Sequence, residues 1–352
     1  MNSSRTQNSP ARLRALLAAA LTLLAAAAQA AVGLTQLPGV AGDGPVTVFY
    51  PTRQPEAAVT RGPFTMRLAA GGEPVRGNGH LIVLSHGSGG SPWVHSDLAR
   101  ALVEAGFVVA MPEHRGDNHK DFGTPGPESW KRRPAEASRA IDAVAGDARF
   151  APLITPDAVG VYGMSAGGHT ALSLAGGRWS TAGFRDHCEA HLADDFPACV
   201  GLATRLTGGA FDGLKQWLAR RVIRRTFDDA TWQVHTDARV RAVVAAVPFA
   251  ADFEMASLGT PRVPLGLVTA GQDRWLAPAW HSGAVLAACA PCERVAELPG
   301  AGHGALLSPA PPAAVLAPAA AALLADPPGF DRSTLAGVDQ RIVEFFVKHL
   351  LP

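Results

Sequence analysis

The sequence predicts an α/β fold: a mostly parallel central sheet flanked by helices. Three observations carry this reading. Apolar runs such as Leu81–Ser85 (LIVLS), Phe107–Met111 (FVVAM) and Val240–Val247 are continuous rather than alternating, as expected of strands covered on both faces. Stretches with helical spacing, around Asp97–Ala105 and Ser129–Ala145, stand between such runs. Glycine-rich turns follow two of the strands directly.

In chain order, Pro45–Tyr50 (PVTVFY) and Phe64–Leu68 alternate and are rich in β-formers, so they predict an opening antiparallel hairpin or meander. Leu81–Ser85 then runs into His86-Gly87-Ser88-Gly89-Gly90. A helix around Asp97–Ala105 leads to the Phe107–Met111 strand, and Ser129–Ala145 is the next helix. Val159–Tyr162 is a strand that feeds Gly163-Met164-Ser165-Ala166-Gly167, with a helix over Ala166–Ala175. From about Gly176 to Ala238 the rhythm breaks; this part is richer in charge, Trp and His, and reads as a helical lid insertion. Val240–Val247 and Val263–Thr269 resume the strands, Ala279–Ala290 is a helix and Arg294–Leu298 a last short strand. Pro309–Pro328 reads as a surface connection with one short helix, and Val338–Leu350 as an amphipathic closing helix. There is no internal repeat. One domain over residues 31–352, with the insertion at about 176–238, is more economical than two.

Bulk properties exclude several classes. Of 352 residues, 47% are hydrophobic and 17% charged, and 31 Lys and Arg against 30 Asp and Glu leave a net charge of +1. No basic stripe points to nucleic acid, and no acidic tail to a solvating arm. Residues 1–30 read as a signal peptide. Arg5, Arg12 and Arg14 precede the run Ala15–Ala28, and Ala28-Gln29-Ala30 forms an A-x-A cleavage site. The expectation is export to the periplasm or the medium, with the mature chain starting at Ala31. No later apolar stretch is long enough to span a bilayer. Four cysteines, Cys188, Cys199, Cys289 and Cys292, suggest the local pairs Cys188–Cys199 and Cys289–Cys292.

The strongest chemical signal is Gly163-Met164-Ser165-Ala166-Gly167. It matches G-x-S-x-G between a strand and a helix, the context in which a sharp turn lifts a serine hydroxyl out of the sheet. Ser165 is the expected nucleophile, and a serine needs a base to remove its proton. The base should come late in the chain, and Leu298-Pro-Gly-Ala-Gly-His303-Gly offers His303 in a glycine loop after a strand. His281 and His349 fall in predicted helices and fit less well. Asp273, directly after the Val263–Thr269 strand, is the preferred acid; Asp252, after Val240–Val247, competes with it. The backbone N–H groups of Ser88 and Ala166 are the expected oxyanion donors. His86, His169, His114 and His119 lack a metal-ligand spacing and read as cleft lining or support for the oxyanion loop, so neither metal nor cofactor is expected.

These motifs together resemble the α/β-hydrolase superfamily. Within it, the chain is similar to the bacterial "predicted dienelactone hydrolase" group, itself similar to the platelet-activating-factor acetylhydrolases. The resemblance runs from Tyr50-Pro51-Thr52 through Leu84-Ser85-His86-Gly87, Met111-Pro-Glu-His114-Arg and Gly163-Met-Ser165-Ala-Gly-Gly168 to Gly302-His303 and Pro328-Gly-Phe-Asp331-Arg. It implies an α/β-hydrolase fold and a serine hydrolase acting on a small-molecule ester. True dienelactone hydrolases use cysteine where this chain has Ser165. The acetylhydrolases place their acid just after the strand matching Arg241–Val247, where this chain has Val247-Pro-Phe. Amide or peptide hydrolysis by the same triad, and a non-catalytic binding protein on the same scaffold, are the alternatives.

Overall fold

The computed structural model describes residues 31–352, so the signal-peptide reading of residues 1–30 lies outside the described residues. Ten strands form one sheet: β1 (Ala31–Leu37), β2 (Val46–Thr52), β3 (Ala57–Arg61), β4 (Phe64–Ala70), β5 (Leu81–Ser85), β6 (Val108–Pro112), β7 (Val159–Met164), β8 (Val240–Ala246), β9 (Leu265–Ala270) and β10 (Glu293–Leu298). Their spatial order is β10-β9-β8-β7-β5-β6-β2-β1-β4-β3. From β10 to β6 every pairing is parallel. β2 is antiparallel to both β1 and β6.

The continuous apolar runs are explained by two cores, one on each face. Leu81 and Val83 of β5 enter one core, and Ile82 and Leu84 the other. Helices α2 (Pro127–Gly146) and α3 (Ala166–Leu174) cover the first face. Helices α1 (Ser96–Glu104) and α10 (Leu335–Leu350) cover the second. Both faces are thus dry, and alternation has no solvent side to mark.

One expectation needs correction. The segments around Pro45–Tyr50 and Phe64–Leu68 do not form a hairpin with each other. Strand β1 lies between them, antiparallel to β2 and parallel to β4. The hairpin partner of β4 is β3, which is almost wholly exposed.

The segment 176–238 is helical, as expected. It contains α4 (Thr181–His191), α5 (Phe196–Val200) and α6 (Asp212–Thr226). Cys188 of α4 is bonded to Cys199 of α5, and Cys289 to Cys292, with Cα separations of 5.7 and 5.4 Å. Two disulfides suit an extracellular or periplasmic setting. Buried anchors tie the segment to the sheet domain. Phe184 packs on Trp130 and Phe249, and Asp195 accepts from His187 (2.8 Å) and from His281 (3.2 Å). Three shorter or later helices complete the chain: α7 (Met255–Leu258), α8 (Ser282–Ala288) and α9 (Pro318–Leu324). Among the described residues no helix is long and apolar enough to cross a membrane.

Candidate active site

Ser165 sits between β7 and α3 with φ 58° and ψ −117°, a left-handed backbone that a non-glycine residue rarely adopts. Its neighbours enforce the turn. A β-carbon on Gly163 would lie 1.9 Å from the carbonyl oxygen of Gly167, and one on Gly167 would lie 1.9 Å from that of Ser85. The glycines therefore let strand, turn and helix approach more closely than any side chain permits. The Ser165 N–H donates to the Ala246 carbonyl (3.0 Å), and the Phe249 N–H to the Ser165 carbonyl (3.2 Å). Val247, also left-handed at φ 37°, stands just past the same strand end. Backbone strain thus collects where the parallel strands end, as at many functional sites.

His303 follows β10 in a short 3-10 turn and reaches back to Ser165. Its Nε2 lies 3.0 Å from Ser165 Oγ, and its Nδ1 lies 2.7 Å from Asp273 Oδ2. Asp273 Oδ1 accepts from the N–H groups of Trp275 (2.9 Å) and Leu276 (2.8 Å), so the carboxylate cannot rotate freely. With Nδ1–H donating to Asp273, Nε2 is left to accept the hydroxyl proton of Ser165. Ser165 is partly exposed while His303 and Asp273 are buried, so the chain of groups opens to solvent at its hydroxyl end.

The competing acid, Asp252, does not join this chain. It is fully buried and pairs with His169 of α3 (3.0 Å), under Trp130 and Trp179. His281, the less favoured base, spends both ring nitrogens elsewhere: Nδ1 accepts the Ala250 N–H and Nε2 meets Asp195.

The loop after β5 lies against the serine. A β-carbon on Gly87 would be 3.4 Å from the Ser165 β-carbon and 3.8 Å from its Oγ. Ser88, the expected oxyanion donor, hydrogen bonds through Oγ to Asp117 Oδ1 (2.6 Å), and the Gly89 N–H donates to the same oxygen (2.9 Å). Ala166 is the first residue of α3, so its N–H is among those a helix start leaves without an intrahelical acceptor. The exposed ring of Phe122 lies beside Gly89.

The arginine support of this loop was not read from the sequence. Arg133, completely buried, donates to the carbonyl of His86 (2.5 Å) and to Asp117 Oδ2 (2.8 Å). It thereby fixes the carboxylate that holds Ser88 and Gly89. A signal was present: Arg133 falls on the stripe Trp130, Ala137, Ile141 and Val144 of α2, where an apolar residue is expected. Arg332 does a similar service for the His303 turn, donating to the carbonyls of Leu307 (2.7 Å) and Gly304 (3.1 Å) while paired with Asp326 (2.6 Å).

A second serine–histidine–acid chain lies beneath the loop. Ser85 Oγ is 2.7 Å from His114 Nε2, and His114 Nδ1 is 2.6 Å from Glu136 Oε2. Accessibility separates the two chains: Ser85 and His114 have no exposed surface, so no substrate carbonyl reaches them. His86 accepts the His114 N–H through Nε2 (3.3 Å) and stands 2.7 Å through Nδ1 from the Gly87 carbonyl. Burial, with the Arg133 charge adding to it, holds the His86 and His114 imidazoles well below the ordinary histidine range. Burial likewise pushes the Glu136 carboxyl up. These histidines are neutral struts of the loop at neutral pH.

The family model described as the alpha/beta hydrolase family matches residues 82–336, well over half of the 352-residue chain. The chain belongs to the alpha/beta hydrolase family. The matched span of this hydrolase begins inside β5 and ends at the start of α10, so it includes Ser165, Asp273, His303 and the Ser88 loop. The parallel half of the sheet, with loops at its strand ends, fits that membership. No curated protein matches the hydrolase significantly.

Proposed function

We propose that the protein cleaves carboxylic esters through an acyl-enzyme, with Ser165 as nucleophile, His303 as general base and Asp273 as the group that orients it. The observation that supports this most is the partly exposed Ser165 hydroxyl, 3.0 Å from His303 Nε2, with Asp273 2.7 Å from Nδ1. His303 takes the hydroxyl proton as Ser165 attacks the ester carbonyl. Negative charge then develops on the carbonyl oxygen, where the N–H groups of Ala166 and Ser88 stabilise it. The positive end of α3 adds to this field. His303 next gives its proton to the leaving alcohol, and later takes one from the water that frees the acid. Asp273 holds the tautomer that leaves Nε2 ready to accept. This scheme needs no cofactor.

The resemblance to predicted dienelactone hydrolases and acetylhydrolases supports an ester over an amide. The segment 176–238 is read as a lid on the cleft, and the mature chain as an exported one. Of the lid aromatics, Trp179 and Phe184 are buried in the core shared with the sheet domain, whereas Trp217 and Trp232 are about half exposed.

The test is labelling with a fluorophosphonate, together with an ester chain-length series and matched amides. Labelling and ester turnover that both vanish in Ser165→Ala are the expected result. Folded wild-type protein that neither labels nor turns over esters would move the binding-protein alternative to the front.

A further inference from the structure

Helix α6 is an amphipathic helix turned outward. It runs through DGLKQWLARRVIRRT, and within it only Ile223 is buried. Phe211 just before it and Leu214, Leu218 and Val222 within it recur at three- and four-residue spacing, so they share one face. They are 72%, 60%, 53% and 53% exposed, and Trp217 beside them is 59% exposed. Such a ridge is unusual, because large apolar side chains normally reach water singly.

The flank of this ridge is basic. Trp217, Arg220, Arg221, Arg224 and Arg225 line an open groove of about 370 Å³. Arg224 pairs with Glu189, and Lys215 with Asp212. Arg220, Arg221 and Arg225 have no ion-pair or hydrogen-bond partner among the described residues. Arginine has a long apolar stem, so a guanidinium beside a leucine ridge can rise to a phosphate layer while the ridge goes deeper. A row of arginines beside exposed Trp, Phe and Leu is the pattern of a helix lying in the plane of a bilayer interface. A polyanion such as nucleic acid would satisfy the guanidiniums and leave the apolar ridge in water. A bilayer with anionic headgroups satisfies both.

We propose that α6 is a membrane-docking surface, which seats the protein on anionic phospholipid with Phe211, Leu214, Trp217, Leu218 and Val222 below the headgroups and the arginines among them. The segment that carries it lies between α3, which directly follows Ser165, and β8. The docking does not depend on the proposed ester chemistry, and its test reads binding rather than turnover.

The purified protein is sedimented with phosphatidylcholine vesicles and with vesicles of equimolar phosphatidylcholine and phosphatidylglycerol. Binding to the mixed vesicles, weakening with salt, is expected, with little binding to phosphatidylcholine alone. Arg221→Gln with Arg225→Gln should lower the affinity roughly 25-fold, about five-fold per arginine. Leu214→Ser with Leu218→Ser should lower it about ten-fold or more. Both pairs are at exposed or partly exposed positions, so an unchanged melting temperature serves as the folding control. Loss of the Trp217 emission shift in Trp217→Phe, with binding kept, would mark insertion at this helix. Three results would overturn the proposal: no binding to either vesicle, binding insensitive to the leucine pair, or a dimer in solution that the leucine pair dissociates while vesicles bind neither form.

Discussion

Two aspartates compete for one imidazole in the sequence, and at the scale of single residues they have separate fates. Asp273 faces His303, whereas Asp252 faces His169 in a closed aromatic pocket. Their substitutions should differ in kind. Asp273→Asn should lower kcat by about 10⁴, as loss of a tautomer-holding acid does, beside a stability cost of its own from a disturbed buried hydrogen bond. Asp252→Asn should keep most of the activity and lower stability by about 1–3 kcal/mol, because it disturbs a fully buried hydrogen bond. Steady-state kinetics beside urea unfolding separates the outcomes, and the reverse pattern would exchange the two roles. Arg133 calls for a different variant. Arg133→Met strands the Asp117 carboxylate without its buried partner, so a loss of about 3–5 kcal/mol is expected in the same urea experiment. The Ser165–His303–Asp273 chain was legible because each member follows a strand and the order along the chain is informative. Arg133 and Glu136 were not, because a sequence alone does not say which polar residues of a helix face inward.

Among elements, the parallel strands were legible within a few residues, since dry strands write unbroken apolar runs. Strands β1 and β3 were not. β1 starts directly at the expected cleavage site, where its residues blend into the Ala-rich sequence before it. β3 is an exposed edge strand (AAVTR) with no buried stripe to reveal it. Missing both led to the wrong hairpin. The closing helix α10 carries a test of its own. Burial, with the Asp97 charge adding to it, pushes the Asp339 carboxyl up to about 7. Since an unfolded aspartate titrates near 3.9, the native state holds the extra proton between those values. The contribution of Asp339 to stability should then fall as pH rises from about 4 to about 7, with a slope of at most about 1.4 kcal/mol per pH unit, and level off above. Asp339→Asn should flatten this profile and exceed the wild type at alkaline pH. Melting curves across pH check it, and parallel profiles for the two proteins would refute it. The two disulfides should also differ. Cys188 and Cys199 are 11 residues apart and Cys289 and Cys292 only 3. Removing the first as a Ser pair should cost about 2–3 kcal/mol, and removing the second less, because closing a longer loop restrains the unfolded chain more.

For the whole molecule, sheet order decides how the candidate site comes into being. Ser165 follows β7 and His303 follows β10, 138 residues later, while the Ser88 loop follows β5 on the other side of β7. No subset of neighbouring elements contains the constellation. Contacts of such long sequence separation are slow to form, because loop closure comes before any gain from them. Assembly of the candidate site is therefore expected late in folding. On dilution from denaturant, helical circular dichroism should recover ahead of ester turnover, and a truncated or nicked chain should retain secondary structure without turnover. On the proposed export, this arrangement would keep the proposed nucleophile idle in transit: an unfolded polypeptide crossing a membrane would carry its serine, histidine and aspartate as three unrelated side chains.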